Sequence, residues 1–173
     1  YDKTDALYDG RTYERITARF NNDVTITKYL SASIDFSFKR SISLQPSMDP
    51  IYTTFISAPV YAATWADGRI AEGKTGANIY AQMKYGGNVE NYYNQVGGKM
   101  SLDFTPFKGF KLSAILSPSL GFDKGKNFQK KVSYYSADNP TVYVGTTQWG
   151  STTKLTESRN DYSRVTSQLI ANY

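Results

Sequence analysis

The stretch Leu30-Ser31-Ala32-Ser33-Ile34-Asp35-Phe36-Ser37-Phe38-Lys39 decides the fold. Leu30, Ala32, Ile34, Phe36 and Phe38 fall on one side; Ser31, Ser33, Asp35, Ser37 and Lys39 fall on the other. Neighbouring side chains of a strand point to opposite faces, so this order makes one apolar and one polar face. The pattern recurs outward in both directions. Ile16, Ala18 and Phe20 alternate with Arg15, Thr17 and Arg19, and Gly98, Met100, Leu102 and Phe104 with Lys99, Ser101, Asp103 and Thr105. Phe110, Leu112, Ala114, Leu116, Pro118, Leu120 and Phe122 form the longest apolar comb. Val165, Leu169, Ala171 and Tyr173 close the series, opposed by Arg164, Thr166, Gln168 and Asn172.

These runs predict an all-β chain of antiparallel hairpins, with strands at about 12–21, 25–44, 94–105, 109–123 and 158–173. Asn21-Asn22-Asp23 and Thr105-Pro106-Phe107-Lys108-Gly109 read as the tight turns of two hairpins. The other connections, 45–93 and 124–157, are several times the usual loop length. Composition agrees with strands. The 173 residues include 15 Tyr and 9 Phe, and only four of the 15 acidic residues are Glu, which long amphipathic helices favour.

There is no Cys and no His, which excludes disulfides, thiol nucleophiles, Cys/His zinc sites, His bases and Ser-His-Asp triads. The net charge is +5, and the segment 108–132 holds all of that excess: six lysines against Asp123 alone. A nucleic-acid binder spreads its basic residues over a face, so no nucleic-acid partner is expected. The lysine-rich segment reads as a solvated loop tip, or as a contact with anionic head groups. The longest uncharged stretch, Pro50–Ala66, is broken by Pro59 and short of the ~20 residues of a spanning helix. Tyr1-Asp2-Lys3 does not open a signal peptide, so the natural N-terminus is expected to lie upstream.

Short turns at one end and long loops at the other are the asymmetry of outer-membrane β-barrels. Strands that reach the ~9–11 residues of a tilted span fit the same architecture. Phe20, Tyr29, Phe104, Phe107 and Phe110 flank the short turns, while Phe36, Phe38 and Phe122 mark the far ends, as two interfacial girdles would. Arg15, Arg19, Asp35, Lys39, Lys99, Asp103, Arg164 and Gln168 then face a wet lumen. Five strands fall short of the eight of the smallest membrane barrels, so the expectation is a partial slice of a transmembrane β-barrel with two long external loops.

Several segments resemble SusC/RagA-type TonB-dependent transporters. Arg15-Ile16-Thr17-Ala18-Arg19-Phe20-Asn21-Asn22-Asp23-Val24-Thr25-Ile26-Thr27, with Leu30-Ser31-Ala32-Ser33, resembles a barrel hairpin of that family. Pro59-Val60-Tyr61-Ala62-Ala63-Thr64-Trp65-Ala66-Asp67-Gly68-Arg69 and Gly76-Ala77-Asn78-Ile79-Tyr80-Ala81 are similar to its long-loop segment. Leu102-Asp103-Phe104-Thr105-Pro106-Phe107-Lys108-Gly109-Phe110-Lys111-Leu112 is similar to its periplasmic turn. The likeness covers about 11–125 and fades in 126–157. It implies uptake of oligosaccharides, and sometimes peptides, across the outer membrane of Bacteroidetes. A SusD-like surface lipoprotein would cover the mouth. TonB would act only through a plug domain absent from this segment. The resemblance implies no cofactor and no covalent chemistry.

An enzyme would need a constellation. Asp103 with Glu14 or Asp35 offers two carboxylates, although pairing with Arg15 or Lys99 across a barrel wall is the simpler reading. Asp67-Gly68 and Asp9-Gly10 are lone turn pairs rather than calcium loops, and Gly73-Lys74-Thr75-Gly76 lacks P-loop spacing. The expected loops carry Tyr52, Tyr61, Trp65, Tyr80, Tyr85, Tyr92, Tyr93 and Trp149. Such rings stack on sugars or pack a loop against itself. Trp65, Tyr61 and Trp149, with Asp67, Arg69 and Asn78 as hydrogen-bonding partners, are the candidate ligand- or lid-contacting residues. A freestanding carbohydrate-binding β module and a porin-like barrel without TonB are the alternative readings.

Overall fold

Alternation of this kind specifies a two-sided ribbon, and the backbone ladder fixes how the ribbons join. A computed structural model describes residues 1–73, 78–146 and 152–173. The strands are β1 (Asp2–Asp5), β2 (Thr12–Thr27), β3 (Leu30–Pro46), β4 (Gly87–Phe104), β5 (Lys111–Gln129), β6 (Ser133–Tyr135), β7 (Tyr143–Thr146) and β8 (Lys154–Asn172), with two short helices, α1 (Pro50–Ile56) and α2 (Ile79–Tyr85). One antiparallel sheet runs in the order β1-β2-β3-β4-β5-β8, while β6 and β7 form a separate hairpin. The sheet is open: among the described residues, neither β1 nor β8 has a partner on its outer side.

The first hairpin differs from the expectation. Asn21-Asn22-Asp23 is not a turn; β2 passes straight through it, with Asn21 opposite Asp35 and Asp23 opposite Ser33. Val24 and Ile26 keep the alternation going beyond the polar triplet, and Asn21 and Asp23 fall on the polar face, where water suits them. The chain reverses instead at Lys28-Tyr29, where the Tyr29 amide donates to Thr27 Oγ1 at 3.2 Å. The second short turn lies where expected, with Gly109 at φ +92, a conformation side-chain-bearing residues rarely adopt. The Thr105 amide donates to the Tyr29 carbonyl at 2.8 Å, tying the two short turns together.

This correction moves Phe20. It pairs with Phe36, so it belongs to the far aromatic level rather than to the turn end. The turn-end aromatics are Tyr29, Phe104, Phe107 and Phe110, the last two stacked at 5.4 Å between centroids. Strands β4, β5 and β8 also run further from the turns than expected, so Tyr92 and Tyr93 are strand residues, not loop residues.

The register sorts the side chains cleanly. Arg15, Arg19, Asp35, Lys39, Lys99, Asp103, Arg164 and Gln168 all lie on one face. The other face carries rows such as Ala32–Leu102–Ala114–Leu169, interrupted by Asn22, Ser163 and Ser167. That apolar face is open. Phe20 is 57% exposed, Leu116 43% and Leu169 72%. A shallow depression of about 780 Å³ runs over its smaller residues, Ala32, Ala114 and Ser167. Beyond Phe38, Val96 and Phe122 the same face turns charged, through Arg40, Glu90, Lys124, Lys126, Arg159 and Asp161. The described buried apolar side chains, Ala71, Ala81 and Val132, all lie in the long loops. The sheet's own apolar face therefore has no core of its own.

Candidate functional site

The two long loops fold against each other at the charged end of the sheet. Helix α1 starts with Pro50 after an Asp49 cap, whose carboxylate accepts from the Ile51 amide at 3.0 Å. Asn78 caps α2: its Oδ1 accepts from the Ala81 amide at 2.9 Å. The other side of the same amide donates to the Ala63 and Ala71 carbonyls, at 2.9 and 2.7 Å. One buried Asn thus satisfies a helix end and two loop carbonyls at once.

The second loop docks onto this assembly through β6. Trp65 Nε1 donates to the Tyr135 carbonyl at 3.1 Å. The Arg69 guanidinium lies over the Tyr135 ring, 5.4 Å from its centroid, and donates to the Pro140 carbonyl at 3.0 Å. Asp67 Oδ1 accepts from the Arg69 amide at 3.0 Å, and its other oxygen stands 3.5 Å from Arg69 Nε. Backbone bonds from the Glu72 amide to Tyr135 and from the Tyr135 amide to Ile70 complete the junction.

The sequence candidates therefore separate into two groups. Trp65 and Arg69 join the loops to each other, and Asp67 braces Arg69 from within the first loop. Tyr61 and Asn78 instead line a hollow of about 330 Å³ between α1 and α2, with Tyr80 and Met83 beside them. Trp149 lies outside the described residues. Tyr135 and Pro140, which hold the junction, escaped the sequence reading; the adjacent aromatics Tyr134-Tyr135 in an otherwise polar stretch were the only local signal. Lys84 Nζ donates to the Tyr80 hydroxyl at 3.0 Å. This bond holds the Tyr80 phenol below its ordinary value and Lys84 above its own. The Gln82 side-chain amide is buried with no partner among the described residues.

The carboxylates singled out in the sequence do not all share one face of the sheet. Glu14 pairs with Ile42, which puts it on the opposite face from Asp35 and Asp103. Asp103 is engaged already, accepting from Ser113 at 2.6 Å and facing Lys111 at 3.1 Å. Among the described residues no group of three acidic side chains gathers as a metal site would require. No family model matches the chain, and no curated protein matches it significantly.

Proposed function

We propose that this chain is a section of an outer-membrane β-barrel wall with its external loops, belonging to a SusC/RagA-type TonB-dependent importer of oligosaccharides or other glycans. The observation that carries the membrane part is the open apolar band. Leu30 to Phe38 on β3 and Leu112 to Phe122 on β5 define a belt rising roughly 20–25 Å at the usual strand tilt, close to the ~25 Å of a barrel's lipid-facing band. Aromatics border the belt on both sides, and charged residues begin where it ends. A soluble monomer seldom exposes a contiguous apolar surface of this extent. The open edges of β1 and β8 are where further strands of a closed barrel would pair.

The importer part rests on the sequence resemblance. Position lends it support: Leu102–Leu112 spans a short turn of the sheet, and Pro59–Arg69 lies in the first long loop. In this reading the polar face lines the lumen, and the loops meet ligand and a SusD-like lipoprotein. TonB acts through a plug outside this segment. The chain performs no covalent chemistry on its cargo.

The chain has no cysteine, so single thiols report position directly. In intact cells a membrane-impermeant maleimide should label Tyr61→Cys quickly. Leu116→Cys should resist it and react with a lipid-soluble maleimide. Equal labelling of both by the impermeant reagent would refute the lipid-facing assignment. Uptake that persists after loss of TonB would refute the importer and leave a passive pore.

A further inference from the structure

We infer that the polar face carries a binding site for a neutral ligand of linked, polyhydroxylated rings, built by Tyr13, Tyr93 and Tyr162. The three rings come from β2, β4 and β8 and border one cleft of about 360 Å³ on the polar face. The tyrosines stand on every second strand, each two residues further along than the last, so their positions step diagonally across the wall. None is used in packing a core: Tyr13 is 38% exposed, Tyr93 50% and Tyr162 45%.

Two details show that the cleft is shaped rather than incidental. The Tyr13 hydroxyl donates to Ser41 Oγ at 3.2 Å, and Ser41 is buried, so this ring is tethered toward the cleft floor. Gly121 pairs with Tyr162, and a Cβ at Gly121 would run into the Tyr162 ring. The glycine gives the aromatic room to lie over the sheet. Between the rings stand Lys39, Gln95 and Asp123. Their charges cancel, so the cleft selects neither anions nor cations. An amide, an ammonium and a carboxylate together donate to and accept from hydroxyls, while the ring faces take the C–H sides of a sugar. Exposed tyrosines with balanced charge on a wet wall suit an oligosaccharide better than a lipid or a charged peptide.

This inference deepens the glycan-importer reading and rests on it. Saturation-transfer NMR on the complete protein in outer-membrane vesicles, with xylo-, malto- and laminarihexaose as probes, tests it. Tyr93→Ala and Tyr162→Ala should each weaken binding about tenfold, a loss of the size expected from one stacked ring. Gly121→Ala should weaken binding similarly by displacing the Tyr162 ring. Tyr93→Phe, which keeps the ring, should bind nearly as the wild type does, and heat-modifiable migration should show that each variant assembles. Wild-type binding that Tyr93→Ala, Tyr162→Ala and Gly121→Ala all leave unchanged would overturn the tyrosine site while sparing the glycan reading. No binding of any probe by the wild type would overturn both.

Discussion

Placing an arginine at successive depths along β5 tests the two-sided wall most sharply. From Leu112 to Phe122 the strand climbs roughly 23 Å at a 45° tilt, about 2.3 Å per residue. Leu116 sits roughly 9 Å above the turn-end border of the belt, near its middle, while Ala114 sits only about 5 Å above it. Both side chains lie on the apolar face, in rows with Met100 and Leu102. Ser117, one residue on, pairs with Thr166 and faces the polar side. An arginine in contact with lipid costs about 2–4 kcal/mol at mid-depth and about 0–1 kcal/mol at the interface. Leu116→Arg should therefore cost about 3 kcal/mol, Ala114→Arg about 1–2 kcal/mol, and Ser117→Arg less than 1 kcal/mol. Urea titration of the complete protein in lipid vesicles, followed by circular dichroism, reads these differences as midpoint shifts at constant slope. On a water-exposed face Leu116→Arg would instead be neutral or improve solubility. A Leu116→Arg change within about 0.5 kcal/mol of wild type, or a Ser117→Arg cost as large as that of Leu116→Arg, would refute the assignment.

Three further outcomes follow from the loop assembly. Asn78→Ala should lose a helix cap and strand two carbonyls, weakening the α2 region by about 2–4 kcal/mol, with faster hydrogen exchange at the Ala81 and Gln82 amides as the readout. Arg69→Lys should lose the bond to Pro140 and the flat contact with Tyr135, about 1–2 kcal/mol, and speed proteolysis within the β6–β7 hairpin; the half-exposed Asp67 ion pair adds little to that figure. Tyr80 should titrate below its ordinary value of 10.0, and Lys84→Met should raise it again, as read by NMR of ring-labelled tyrosine. The lowered Tyr80 favours the folded loop above its ordinary value and loses that effect as pH falls through the folded one. The raised Lys84 favours it below 10.5 and loses the effect as pH rises past the folded value, so the pair supports the loop most in the alkaline range between them.

The sheet was legible where one face met a different environment from the other. The Leu30–Phe38 and Leu112–Phe122 combs marked both the strands and their faces. Past the belt both faces are polar, so Tyr92, Tyr93 and the run from Lys124 to Gln129 carried no alternation, although the ladder continues through them. Hydrophobic period reports surroundings, whereas the ladder needs only amides and carbonyls. Asn21-Asn22-Asp23 misled for a related reason: residues typical of turns also sit comfortably in a strand with one wet face. Helices α1 and α2, at seven residues each, are too short to display a helical period. The candidate residues were chosen by type, which found Trp65 and Arg69 but not their partners. Tyr135 and Pro140 stand some 70 positions away along the chain.

The strands outlast the belt. Above Val96, β4 continues back to Gly87, a further rise of roughly 20 Å at the same tilt. In a bilayer this extension would act as a turret, carrying the loop assembly clear of the head groups into the aqueous layer outside. Changing acyl-chain length would then stress the wall below while leaving the loops' geometry alone. Trimming some eight or nine rows from each strand would instead remove the turret's roughly 20 Å and bring α1, α2 and the β6–β7 hairpin down onto the head-group surface.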